Sequence, residues 1–155
     1  MESPPWKMSR VVDHSLLLAR SFRYWTGRPL LVGEWGPQEL ARRLYEAPFV
    51  LVSHGTERDP LFNYANLTAQ RLWELEWDAL IGMPSRKTAE TAARDERSQA
   101  LSSALRGGFV EDYSGVRISA GGRRFRIERG VIWNLLDGSG NLRGQAAVFS
   151  DWTRL

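Results

Sequence analysis

From Val11 to Trp25 the apolar residues Val11, Leu18, Phe22 and Trp25, with Val12, Leu16 and Ala19 beside them, recur at helical spacing, which predicts an amphipathic helix stopped by Gly27 and Pro29. A shorter helix is expected from Pro37 to Glu46, with Pro37 in its first turn and Leu40, Ala41 and Leu44 facing inward. The pattern then turns β-branched and aromatic. Phe49 to Ser53 and Leu61 to Asn66 read as two strands of a hairpin joined by the polar loop His54 to Pro60. Leu67 to Leu75 is helical in composition, and Trp77 to Ile81 adds a short turn ended by Gly82 and Pro84. A long helix is expected from a Ser85 cap to Arg106, burying Ala89, Ala92, Ala93, Ala100, Leu101, Ala104 and Leu105 and stopped by Gly107 and Gly108. Beyond it the period drops to two. Val110 to Ser119, Arg123 to Leu136 and Arg143 to Trp152 form an antiparallel meander, with turns at Gly121-Gly122 and at Gly138 to Gly140 and a bulge at Gly130 in the middle strand.

This order fits an α+β domain: a five-stranded antiparallel sheet with helices on one face and an N-terminal helical cap. The expected organisation is one domain over residues 1–155, with a helical extension at 1–46 and the core at 47–155. Residues 1–10 read as a loose end with Trp6 pinned to the body. The 155 residues, 43% hydrophobic and 25% charged, suit one globular unit. No apolar run is long enough for a bilayer crossing and no secretory leader is evident, so a cytoplasmic location is expected, without membrane attachment. The net charge of +3 comes from nineteen Arg and two Lys spread along the chain, and no direct nucleic-acid binding is expected.

Several stretches together carry a resemblance: DPLFNYAN (59–66), IGMPSRKTAE (81–90), RDER (94–97), YSGVRIS (113–119), GRRFRIE (122–128), WNLLD (133–137) and GQAAVFSDW (144–152), preceded by SFRYWTGRPLL (21–31). In this order they resemble the MEKHLA domain family, in its bacterial stand-alone form, although the six letters of that name do not occur here as a run. The resemblance implies a PAS-like fold and a sensing or regulatory role, with a ligand that is not established. The family also stands at the C-terminus of plant class III homeodomain leucine-zipper transcription factors, but this chain shows no homeodomain, zipper heptads or lipid-binding domain, so their DNA binding is not expected here.

With no cysteine, a cysteinyl flavin adduct, thioether-attached haem and bilin are excluded. The cofactor is otherwise unknown. Haem-binding PAS domains commonly take an axial histidine from the long helix, and none lies between Ser85 and Gly108. WNLL resembles a segment of light-sensing PAS domains that carries a flavin-contacting asparagine, but Asn134 stands only three residues from the Asp137 turn, out of that register. The two histidines, His14 and His54, show no metal-ligand spacing with Asp13, Glu57 or Asp59. Ser53, His54 and Asp59 offer triad residue types, yet neighbours on a strand face apart. The simpler account has His54 and Asp59 shaping the hairpin loop.

If a pocket exists between helices and sheet, Trp73, Trp77 and Trp133 are expected to line it. Arg86, Arg94 and Arg97 from the long helix, Tyr113, and Asn134 and Gln145 from the last strands would be its polar contacts, arginine being the natural fork for a carboxylate. Each has a structural alternative: the tryptophans as core, the arginines paired with Asp78, Glu90 or Asp95, and Asn66 as a helix cap. The leading reading is a small-molecule-binding sensory module without its own output domain, forming a homodimer or meeting a partner protein through Val11 to Trp25. The alternatives are an interaction module with a filled core, docking through an exposed sheet face or that helix, and a hydrolase-type enzyme using His54 and Asp59.

Overall fold

The computed structural model describes residues 3–155. Of the expected loose end, Met1 and Glu2 lie outside the described residues, whereas Pro5–Lys7 form a 3-10 turn and Trp6 packs against the core. Helix α1 (Ser9–Thr26) ends where Gly27 takes φ 73° and returns its N–H to the Arg23 carbonyl at 2.9 Å. Helix α2 (Pro37–Tyr45) buries Ala41, Leu44 and Tyr45. Then follow β1 (Val50–His54), β2 (Phe62–Ala65), α3 (Leu67–Trp73) and α4 (Trp77–Leu80). After α5 (Thr91–Gly107) come β3 (Phe109–Ile118), β4 (Arg124–Leu136), β5 (Leu142–Phe149) and β6 (Asp151–Arg154). The strands form one antiparallel sheet in the order β2-β1-β5-β4-β3, with β6 also paired to β4.

Two apolar clusters sandwich this sheet. On one face Val50, Val52, Phe125, Ile127 and Ile132 pack with Trp73 and Leu72 of α3, Leu80 of α4 and Ala104 of α5. On the other, Leu51, Trp133, Leu135 and Ala146 meet Val11, Leu18 and Phe22 of α1 and Leu44 of α2. Strand β1 is therefore buried at every position, which is why it reads as an unbroken apolar run. The N-terminal cap covers β1, β5 and the C-terminal half of β4 on the sheet face opposite α5, while exposed Arg124 and Arg126, alternating with buried Phe125 and Ile127, leave the β3, β4 and β6 end of that face in solvent. Among the described residues no helix is long and apolar enough to cross a membrane.

Two elements differ from the sequence pattern. The long helix does not begin at Ser85: Ser85–Thr88 is a separate 3-10 turn without a side-chain cap, Ala89 and Glu90 are extended, and α5 starts at Thr91. Ala89 is buried while Ala92 and Leu105 are exposed, so the apolar side of α5 is narrower than its alanines suggest. The last strand divides at Ser150, and both halves pair with β4. The expected bulge is present. Arg129 takes φ 50° next to Gly130, so Phe125 and Ile127 face α5 while Trp133 and Leu135, of the same parity, face α1.

Asn66 is the cap that the sequence suggested, and more. Its Oδ1 accepts from the Ala69 and Leu51 N–H groups, each at 3.1 Å, and its Nδ2 donates to the Leu44 and Phe49 carbonyls. One fully buried side chain thus ties α2, β1 and α3 together.

Candidate functional site

Between the sheet and the layer formed by α3, α5 and the 3-10 turn at Ser85 lies a cavity of about 60 Å³. That is room for about four or five waters. Its walls are apolar where Phe62, Trp73, Ile127 and Phe149 contribute, and polar where His54, Ser85, Arg97, Tyr113, Arg117 and Gln145 do. Their placement follows from strand alternation. On β3, Tyr113 and Arg117 point to the same side, and on β1, His54 follows Val50 and Val52 inward.

The polar wall is a continuous hydrogen-bonded chain. Arg97 Nη2 donates to Ser85 Oγ. Ser85 Oγ lies 2.9 Å from His54 Nδ1, and His54 Nε2 lies 3.4 Å from Gln145 Oε1. Gln145 Nε2 donates to the Leu101 carbonyl and to Asn134 Oδ1, and Asn134 Nδ2 donates to the Ala104 carbonyl. With Gln145 offering only its oxygen, His54 carries its proton on Nε2 and Nδ1 accepts from Ser85. Burial, reinforced by the Arg97 charge, pushes the His54 pKa down to about 4 and keeps the ring neutral. Gly144 makes the close approach of β5 possible: at φ 146°, a Cβ there would stand 2.1 Å from the His54 carbonyl oxygen.

Arg97 and Arg117 differ from the other arginines of the chain. Both are buried, at 8% and 6% exposure, and neither has a carboxylate of the described residues within 4.0 Å. Arg117 donates to the Tyr113 hydroxyl at 2.9 Å and to the Val116 carbonyl, and its guanidinium carbon lies 5.6 Å from the Tyr113 ring centroid. Burial and then the neighbouring Arg117 charge lower the Arg97 pKa to about 10, so it remains a cation at neutral pH. Trp73, on the apolar wall, has a buried indole N–H with no hydrogen-bond partner among the described residues.

Of the residues expected from the sequence, Trp73, Arg97, Tyr113 and Gln145 line the cavity. Asn134 stands behind it and reaches it only through Gln145. Trp133 does not line it, because the bulge at Arg129 turns it to the α1 face, where it packs edge to face with Phe22. Trp77 also belongs to that other cluster, against Tyr45 and Tyr64. Arg86 sits on the 3-10 turn rather than on a helix and pairs with Asp59 at the surface, at 3.1 Å. Arg94 folds back to donate to the Ala89 carbonyl at the start of α5. His54 and Asp59 do not form one constellation: His54 is bonded inward to Ser85 and Gln145, and the Asp59 carboxylate is held outside by Arg86. Sequence reasoning missed Arg117 and Ser85. The alternation Tyr113, Gly115, Arg117 carried the signal for the first; nothing in the local pattern turned Ser85 inward. Among the described residues no group of three or more His, Cys, Asp or Glu could hold a metal ion.

The profile described as the MEKHLA domain matches residues 12–154. No curated protein matches the chain. Among solved structures, a PAS domain from Colwellia psychrerythraea superposes with a TM-score of 0.63 at 12% identity, covering 72% of this chain and 92% of that one. A light-oxygen-voltage domain studied with a flavin analogue gives 0.60 at 18%, covering 76% and 84%. An RNA-binding light-oxygen-voltage receptor gives 0.65 at 19%, covering 83% of this chain but only 36% of the receptor. At these identities the likeness shows the fold alone. A flavin does not fit this cavity: its volume is too small for a three-ring system, and Asn134 commits its amide to Ala104 and Gln145.

Proposed function

This chain belongs to the MEKHLA domain family, and from that premise we propose that it is a sensory or regulatory module that binds a small molecule in the cavity between α5 and the sheet and passes the change to α1. The observation that carries this is Asn134. Its side chain ends the polar chain of the cavity wall, its N–H donates to the Gly108 carbonyl after α5, and its carbonyl accepts the Trp25 indole N–H of α1 at 2.9 Å. One residue thus joins the cavity, the end of α5 and the N-terminal helix through the thickness of the sheet. The output surface on this reading is α1, which meets a second copy or another protein. Tyr24, 71% exposed on α1, stands free for such a contact.

Native mass spectrometry of the purified protein beside its denatured mass tests binding, and hydrogen exchange of α1 with and without the molecule tests transmission. An excess mass lost on denaturation, together with altered exchange in Ser9–Thr26, is the expected result. An apo mass with α1 exchange indifferent to every added small molecule overturns the proposal.

A further inference from the structure

The donors around the cavity are in excess of the acceptors. Arg97 commits one N–H to Ser85 and Arg117 commits two, to Val116 and Tyr113; the rest of each fork finds no protein acceptor among the described residues. Trp73 adds an indole N–H without a partner. Two acids stand near this group, the exposed Glu96 against the Tyr113 hydroxyl and Asp59, whose charge reaches Arg97 but which is paired with Arg86; neither carboxylate comes within 4.0 Å of either guanidinium. Two like charges held from solvent side by side cost stability unless an anion sits between them. Arginine is the side chain that meets a carboxylate with both of its oxygens satisfied.

We infer that the cavity takes a small carboxylate with an apolar body, its two oxygens held by Arg97 and Arg117 and its body laid against Phe62, Trp73, Ile127 and Phe149. This rests on the sensory reading above and names its ligand class. The free volume limits the body to a few carbon atoms, and the apolar walls favour a hydrocarbon over a sugar or a second charge. The same contact explains why Arg97 is tied to Ser85: a carboxylate that draws on its guanidinium pulls on the hydroxyl, and through it on His54, Gln145 and Asn134.

The test titrates the protein with sodium salts of acetate, propionate, isobutyrate and isovalerate, each beside its primary amide, and with inorganic phosphate, reading thermal midpoint and calorimetric affinity. At least one carboxylate raises the midpoint while its amide does not. Arg117→Met and Arg97→Gln weaken that carboxylate by about ten- to a hundredfold, the scale of a lost charge-assisted bond. Arg117→Met also raises the midpoint of the ligand-free protein, because it removes an uncompensated buried charge. That second readout distinguishes a variant that has lost its ligand from one that has lost its fold. A response to phosphate or to the amides alone, or a native excess mass belonging to a neutral compound, overturns the carboxylate assignment and leaves the sensory reading standing. No response to any probe, with an apo native mass, removes both.

Discussion

At the scale of single residues, burial sets the chemistry more than composition does. His14 and His54 lie on opposite faces of the sheet. His14 Nε2 is 2.7 Å from Ser53 Oγ, whose proton goes to Asn63 Oδ1. Both rings have pKa values pushed down from 6.5 to about 4, first by burial and then by Arg10 and Arg97 respectively. The unfolded chain therefore binds these protons before the folded one does. Stability from the two neutral rings is fully present above pH 6.5, declines as the pH falls towards 4, and is then exhausted, each ring accounting for on the order of a few kcal/mol. Urea midpoints measured between pH 7.5 and 4 check this, with His54→Gln flattening the decline; a pH-independent midpoint would exclude neutral burial. Asn66→Ala is expected to destabilise by about 3 kcal/mol or more, since it strands two N–H groups and two carbonyls. Equilibrium unfolding reads that directly, and a loss under 1 kcal/mol would show that water replaces the amide.

At the scale of elements, the hydrophobic period made most of the architecture legible. Helices α1, α2 and α3, the hairpin of β1 and β2, and the meander all follow the sequence pattern to within a few residues at their ends. What the pattern could not carry was tertiary in origin. Nothing local breaks the run from Ser85 to Arg106. The break at Ala89 and Glu90 is held by a buried Ala89 side chain and by Arg124, which grips Glu90 from β4. The site was legible in the same proportion. Trp73, Arg97, Tyr113 and Gln145 follow from which face of an element points inward, whereas Trp133 was displaced by a single extra residue at the bulge. Gly144→Ala tests the placement of β5 beside His54. The strained φ and the 2.1 Å approach predict a loss of at least about 2 kcal/mol, and a loss of carboxylate binding where the variant still folds.

At the scale of the whole molecule, α1 and α2 cover the apolar part of the sheet face opposite α5, and this defines what the N-terminal helices are for. Removing residues 1–46 uncovers Leu51, Tyr64, Trp133 and Leu135, all fully buried in the intact chain. The truncated protein is expected to aggregate or to unfold rather than persist as a soluble PAS-like core. Light scattering and circular dichroism check this; a monomeric, cooperatively folding fragment would mean that the core is self-sufficient and α1 a removable attachment.

Helix α1 is fastened at three places: His14 to Ser53 on β1, Ser21 to the Leu136 backbone and Trp25 to Asn134, both on β4. Strand β5 lies between β1 and β4, so the helix spans three strands like a beam bolted across parallel planks. Over the roughly 16 Å from His14 to Trp25 a helix is too stiff to stretch. Any shear between β1 and β4 must loosen a bolt or lift the beam, which makes α1 a strain gauge for the sheet beneath it.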